Sequence, residues 1–218
     1  MNDLANSPSD LIPTLDVGPY LAGEPDALRP LSDELCDAME NVGFYILINH
    51  GISMSQIEET LDAIKRFHAL PLETKTALKG NEHNIGYMAV NSSVSRASQV
   101  DAEGTNRPNF VEAFFVKRDL PPDHPDVRAN KLYRPANLWP APETLPGFRE
   151  TVVSYCRAME QLAQKMLPAY ALALDLPQDF FSEPFAEATY LWRGCSYRRF
   201  ELLRYCFIVT GAVVIFRD

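Results

Sequence analysis

Gly43-Phe44-Tyr45-Ile46-Leu47-Ile48-Asn49-His50-Gly51-Ile52 is the stretch on which the reading of the fold turns. From Gly43 to Ile48 it is almost wholly apolar and β-prone, which predicts a strand buried on both faces. Asn49-His50-Gly51 supplies a turn directly after it. A helical pattern precedes this strand and another follows it.

Upstream, Ile12-Pro13-Thr14-Leu15-Asp16 reads as a short edge strand, because Pro13 has no N–H to give to a ladder. Leu28, Leu31, Leu35, Met39 and Val42 recur at spacings that predict an amphipathic helix ending at Gly43. Downstream, Ser53-Met54-Ser55-Gln56 has the form of a capping box. It opens a helix with Met54, Ile57, Leu61, Ile64 and Phe67 at helical spacing. Leu70-Pro71-Leu72 breaks that helix and starts a shorter one, since proline suits a first helical turn.

Residues 80–107 are polar and loop-like around Gly86-Tyr87, and Phe110 to Val116 predicts a second apolar strand with Glu112 as its one charge. Seven of the seventeen prolines fall between residues 119 and 146, which predicts an ordered loop. Val152, Tyr155, Cys156, Met159, Leu162, Ala163, Met166 and Tyr170 then define a long amphipathic helix. Pro168 should kink it, because the ring removes one hydrogen bond and crowds the preceding turn.

At 218 residues, with 46% hydrophobic and 22% charged side chains, the chain has the composition of an ordinary globular protein. A formal charge of −9 and a pI near 5.0 argue against nucleic-acid and anionic-membrane partners. The first residues lack the basic and apolar regions of a signal peptide. Cys36, Cys156, Cys195 and Cys206 show no metal-like spacing. Reduced thiols and a cytoplasmic location are the expectation.

The 43–52 run resembles the "GFF-x-(I/V)-x-NHG-(I/V)" signature of the iron(II)/2-oxoglutarate-dependent oxygenases of the isopenicillin N synthase-like family. Two more pieces follow in that family's order. Leu70 to Lys75 is similar to its "F-x-LP-x-E-x-K" run, and Asn137-Leu138-Trp139-Pro140 with Pro146-Gly147-Phe148-Arg149 is similar to its "N-x-WP … PGFR" approach to the long helix. The resemblance covers about residues 11–191. It implies an α+β fold: the N-terminal helix-and-strand region of a double-stranded β-helix (jelly-roll) oxygenase, with the barrel incomplete. Residues 1–10 are then a flexible N-terminus, 11–191 the family region, and 192–218 an atypical basic and apolar tail where the barrel should start.

The family's cofactors are Fe(II) and 2-oxoglutarate, its substrates small organic molecules. An iron site of this class needs two imidazoles and a carboxylate on one face. The literal His-x-Asp here, His124-Pro125-Asp126, sits in a proline loop upstream of the long helix, whereas the family's lies downstream of it. No histidine follows His124, and no Arg-x-Ser follows it to hold 2-oxoglutarate. The expectation is that this chain supplies no catalytic or metal-binding residue and binds neither cofactor. His50 reads as a structural imidazole bonded to backbone, and His68 as a group near a helix end where a positive charge suits the dipole. The family's Gly-Tyr segment approaches the substrate channel, which makes Asn84 and Tyr87 candidate substrate contacts, with loop packing as the alternative. Glu112 calls for an ion pair with an arginine from the helical layer, or for catalysis.

Residues 193–218 hold five arginines against two acids, a net +3, so the rest of the chain carries −12. After Leu191 the family pattern stops. A basic C-terminal hairpin is one reading, and a truncated or frame-disrupted family member, inactive alone, is the sharper one. A non-enzymatic fragment or binding module built on the helices is the alternative function, and an unrelated α/β protein a third. Open strand edges, with the uncharged run Tyr205 to Phe216, would favour self-association.

Overall fold

The computed structural model describes residues 12–80, 85–90, 111–132, 134, 136–197, 207–209 and 212–214. Asn84, His83, Phe110 and the N-terminal ten residues lie outside that set. The chain forms two units, Met1–Ser53 with Arg157–Ala188 and Gly211–Asp218, and Met54–Cys156 with Thr189–Thr210.

In the first unit, β1 (Thr14–Asp16) and β2 (Ile46–Ile48) pair in parallel, with Thr14 opposite Ile46 and Asp16 opposite Ile48. Parallel strands need a long crossover, and α1 (Gly18–Leu21) with α2 (Leu28–Asn41) provides it. The apolar stripe of α2 buries Leu31, Leu35 and Ala38, and Leu15, Val17, Tyr45, Leu47 and Ile52 are buried in the same unit. Its other helical portion is the later part of α6 (Phe148–Ala173), which continues through Pro168 and buries Met159, Leu162, Met166 and Ala169. Side chains bond the carbonyls of that helix: Tyr20 Oη donates to Lys165 O at 2.8 Å and Ser32 Oγ to Ala169 O at 3.1 Å. Cys36 Sγ donates to Ala173 O at 3.6 Å, serving a last-turn carbonyl that has no partner within the helix.

The expected strand from Gly43 to Ile48 is corrected here. Gly43 adopts φ +86° and its N–H bonds Ala38 O at 3.0 Å, so it closes α2 instead of opening a strand. Only Ile46–Ile48 pairs, and burial is one-sided: Leu47 is 7% exposed, while Phe44 and Ile48 are each 42% exposed. Asp16 Oδ1 accepts from Gly18 N and Asn49 Nδ2, each at 2.9 Å, which holds the turn after β2 against the end of β1. His50 Nδ1 accepts from Ile52 N at 3.1 Å, the structural role expected of it.

The second unit contains α3 (Met54–His68), α4 (Leu72–Thr76), β3 (Gly86–Met88), β4 (Val111–Lys117), α5 (Pro125–Arg128), the start of α6 and β5 (Leu191–Tyr197). Strands β3, β4 and β5 form an antiparallel sheet with β4 in the middle. An open edge at β4 was the expectation from its apolar sequence; it is instead paired on both sides. All seven residues of β5 pair with β4, from Leu191 opposite Lys117 to Tyr197 opposite Val111. The change of composition near Leu191 therefore coincides with the first residue of a sheet strand. Two short strands follow, β6 (Phe207–Val209) in this unit and β7 (Ala212–Val214) in the other.

Alternation along β4 sends Glu112, Phe114 and Val116 to one face and Val111, Ala113 and Phe115 to the other. On the first face, Phe114 lies 4.4 Å from the ring of Phe67 and 5.6 Å from that of Phe148. Phe67 stacks on Phe148 at 5.4 Å, so α3, α6 and the sheet share one aromatic centre. Each such fully buried ring is worth roughly 1.5–3 kcal/mol by area alone. Gly194 in β5 faces α3 so closely that an added Cβ would lie 2.5 Å from Ile64 Cδ1. Glycine there is a condition of the helix lying against the sheet.

Candidate functional site

Glu112 is the only acid in β4, and it is 2% exposed. A carboxylate cannot be buried there without compensation. Three elements provide it. The single turn of α4, begun after Pro71 and holding Lys75 N on Pro71 O, presents Lys75, itself 2% exposed. Lys75 Nζ lies 2.9 Å from Glu112 Oε2 and donates to His68 O at 2.8 Å. The antiparallel register sets Tyr87 opposite Phe114, and its hydroxyl donates to the same Oε2 at 2.5 Å. The ammonium of Lys75 also sits 5.4 Å from the Tyr87 ring centroid, a cation–π contact. Burial acts to raise the pKa of Glu112, but the nearby His68 and the hydrogen bonds from Tyr87 and Lys75 outweigh it and hold the carboxyl well below the usual range.

His68 closes the cluster from the end of α3. Its Nε2 is 3.1 Å from Gly194 O, and since a carbonyl can only accept, Nε2 carries the hydrogen. Nδ1 makes no hydrogen bond among the described residues and lies 3.7 Å from Glu112 Oε1. The expected arginine partner of Glu112 is thus corrected to a lysine. The arginine was expected from the helical layer in general, whereas the one-turn helix α4 beside the strand brings a lysine within direct reach. Lys75 and His68 were not foreseen in this role, although Lys75 closes the Leu70 to Lys75 run.

A second polar centre ties the proline loop to β4. Asn137 donates Nδ2 to Lys117 O and accepts from Lys117 N, at 3.0 and 2.9 Å, extending the strand with a side chain. Asp119 accepts from Asn137, Trp139 and Arg149. Burial works against its charge, but these donors hold its carboxyl below the usual range.

The histidines of the described residues do not converge. His50 Nδ1 is occupied by Ile52 N, and His124 Nδ1 accepts from Asp126 N at 3.2 Å as the cap of α5. Asp126 is paired with Lys131 at 2.5 Å, so the literal His-x-Asp is a capped, ion-paired turn. Among the described residues no three His, Cys, Asp or Glu side chains are placed to hold a metal ion. The described residues thus bring together no two-histidine, one-carboxylate set. Burial pushes the Cys156 thiol up to about 12, which leaves it a poor nucleophile. Of the candidate substrate contacts, Tyr87 is buried at 2% exposure with its hydroxyl on Glu112, and Asn84 lies outside the described residues.

Residues 12–142 match the family model described as "non-haem dioxygenase in morphine synthesis N-terminal". Azadirone synthase LFS of Melia azedarach is 35% identical over 142 residues, 65% of this chain and 40% of that protein. Isopenicillin N synthase of Streptomyces jumonjinensis is 27% identical over 206 residues, 94% of this chain and 60% of the relative. The solved structure of a 2OG-Fe(II) oxygenase family protein from Caulobacter crescentus superposes with a TM-score of 0.66 at 27% identity, covering 84% of this chain and 55% of its own. The chain spans about half the length of the relatives it matches.

Proposed function

The chain belongs to the isopenicillin N synthase-like family of iron(II)/2-oxoglutarate-dependent oxygenases, and from that membership we propose that it is the N-terminal, scaffold-forming part of an enzyme that oxidises a small organic substrate. The family match over residues 12–142 is the observation that carries this reading. Iron(II) and 2-oxoglutarate supply the oxidising chemistry in that family. In this reading none of the described residues is assigned to hold either one.

The work of these residues is then mechanical and electrostatic. The Lys75–Glu112–Tyr87 cluster fastens β3 to β4 and to α4 from inside. Asn84 and Tyr87 remain the candidate substrate contacts, and the Tyr87 hydroxyl is bonded to Glu112. That residues 192–218 contain no histidine and no Arg-x-Ser supports the further reading that they take the place of iron-binding sequence through a disrupted frame.

Anaerobic addition of Fe(II) to the 218-residue chain, desalting and elemental analysis tests the first part. We expect no stoichiometric iron and 2-oxoglutarate turnover equal to a protein-free control. Iron retained at one equivalent and lost in His124→Ala would overturn it. Reading the encoding DNA beyond the Leu191 codon in all three frames tests the second. A His-x-Asp, a later His and an Arg-x-Ser in another frame are expected, and their absence over ~150 codons, a typical domain's length, refutes it.

A further inference from the structure

The face of the β3–β4–β5 sheet turned away from α3 carries a cation that no acid answers among the described residues. The register sets Phe115 opposite Arg193 on β5 and Gly86 on β3, and Ala113 opposite Cys195 and Met88. Directly opposed residues share a face, so Phe115, Arg193, Met88 and Ala113 stand together, joined by Val111 and Lys117 through alternation along β4. The guanidinium of Arg193 lies over the Phe115 ring, 5.4 Å from its centroid, and this ring contact is its one interaction among the described residues. Its Nε is buried and makes no hydrogen bond. Buried N–H groups are nearly always bonded, so this one is exceptional. Beside it, Met88 and Phe115 are half-buried and pack on the buried Val111 and Ala113. Gly86 adds no side chain to the row. None of the residues that alternation sends to this face is an acid, and Lys117 adds a second positive charge.

We propose that this face binds a small organic acid, with Arg193 anchoring the carboxylate and Phe115 and Met88 forming the floor under an apolar body. The sign of the ligand follows from charge: two cations and no acid favour an anion. Its shape follows from the guanidinium, whose Nε–H and neighbouring Nη–H form a fork that matches the two oxygens of a carboxylate. A phosphate would bring further oxygens onto Met88, Ala113 and Val111, which have no side-chain donor for them. The second carboxylate of 2-oxoglutarate meets the same obstacle. The inference rests on the family reading, from which the small organic substrate comes, and narrows that substrate to acids with an apolar body. It is independent of how residues 192–218 came to be encoded, because pairing with β4 alone puts Arg193 beside Phe115.

The probe is phenylbutyrate, an aromatic ring on a short chain that ends in a carboxylate. It is added to the 218-residue chain and followed by ligand-observed NMR, beside its neutral amide and beside 2-oxoglutarate. One charge-assisted pair and one apolar contact should hold a ligand of this size at about millimolar strength. We expect the amide to bind at least about tenfold more weakly, since its hydrogen bonds lack the charge, and 2-oxoglutarate not to compete. Arg193→Gln should weaken phenylbutyrate to the level of the amide and leave the amide unchanged. Arg193→Lys should recover only part of the loss, because an ammonium lacks the fork. Equal binding of carboxylate and amide by the wild type, displacement by 2-oxoglutarate, or no phenylbutyrate bound at about 10 mM overturns the proposal, as does full carboxylate affinity in Arg193→Gln. The wild-type comparison decides the matter by itself if the variants do not fold. Its failure leaves the family reading standing, since that reading turns on iron and on the encoding frame, and iron retention would overturn that reading without altering the carboxylate comparison.

Discussion

Replacing Gly194 with alanine tests whether β5 lies against α3, and with it whether the sheet continues past the composition change at Leu191. A Cβ at Gly194 would stand 2.5 Å from both Cδ1 and Cγ1 of Ile64 and 2.8 Å from Trp192 Cη2. Ordinary carbon contacts are near 3.5–4.0 Å, so the neighbours would have to give by about an ångström. Ile64 is fully buried and Trp192 is 1% exposed, so neither has free space to enter. Overpacking of this kind costs about 1–3 kcal/mol, and alanine in place of a strand glycine returns about 0.5–1. We expect Gly194→Ala to lose about 1–2 kcal/mol in urea unfolding followed by tryptophan fluorescence and far-ultraviolet dichroism. Ile64→Ala removes both crowded atoms and alone costs about 2–5 kcal/mol through the cavity it leaves. In the double variant the new methyl fills part of that cavity, so the two effects should fall short of their sum by about 1–2 kcal/mol. Strict additivity, or a Gly194→Ala midpoint equal to wild type, would show that β5 does not pack on α3 as described.

Lys75→Met strands the buried carboxylate of Glu112 and should cost about 3–5 kcal/mol in the same unfolding assay, whereas Lys75→Met with Glu112→Leu should cost less than the single change. Glu112 also sets an acid limb. Its carboxyl is held below the ordinary carboxylate range in the folded chain, so its stabilisation is complete above the unfolded value of about 4.3 and is lost as pH falls through that value and below. Unfolding midpoints measured from pH 6 down to pH 3 should fall less steeply in Glu112→Gln than in wild type, and parallel curves would refute the assignment. Asn137→Ala removes two bonds to the Lys117 backbone and one to Asp119, and should cost about 2–3 kcal/mol with a change in Trp139 emission; an unaltered midpoint would mean the loop is held otherwise.

What one stretch of sequence could say depended on how locally its structure is caused. The amphipathic stripes of α2, α3 and α6 repeat within the helices that bury them, so 28–42, 53–67 and the long helix after Gly147 could be placed from spacing alone. The Asn49-His50-Gly51 turn was equally readable, since its bonds reach only to Ile52 and to the strand beside it. The ordered series of family pieces settled the class of fold for the same reason: each is a local pattern kept in sequence order. The absence of any histidine after His124 likewise bore on the iron site without coordinates.

The partners of buried groups were another matter. Nothing near Glu112 in the chain says that Lys75, Tyr87 and His68 meet it, because each contact spans 25 or more residues and exists only once α4 and β3 flank β4. The extent of β2 was misjudged because an apolar run does not say which of its residues a partner strand will cover. The role of residues 191–197 was hidden because composition records who the residues are and not whom they pair with; β4, eighty residues earlier, supplies the ladder that makes them a strand. The sequence by itself determined the helices, the turn and the family, whose causes lie within a few residues of one another. Tertiary structure alone decided the sheet and the buried charge cluster, since burial and hydrogen bonding there are properties of distant segments brought together.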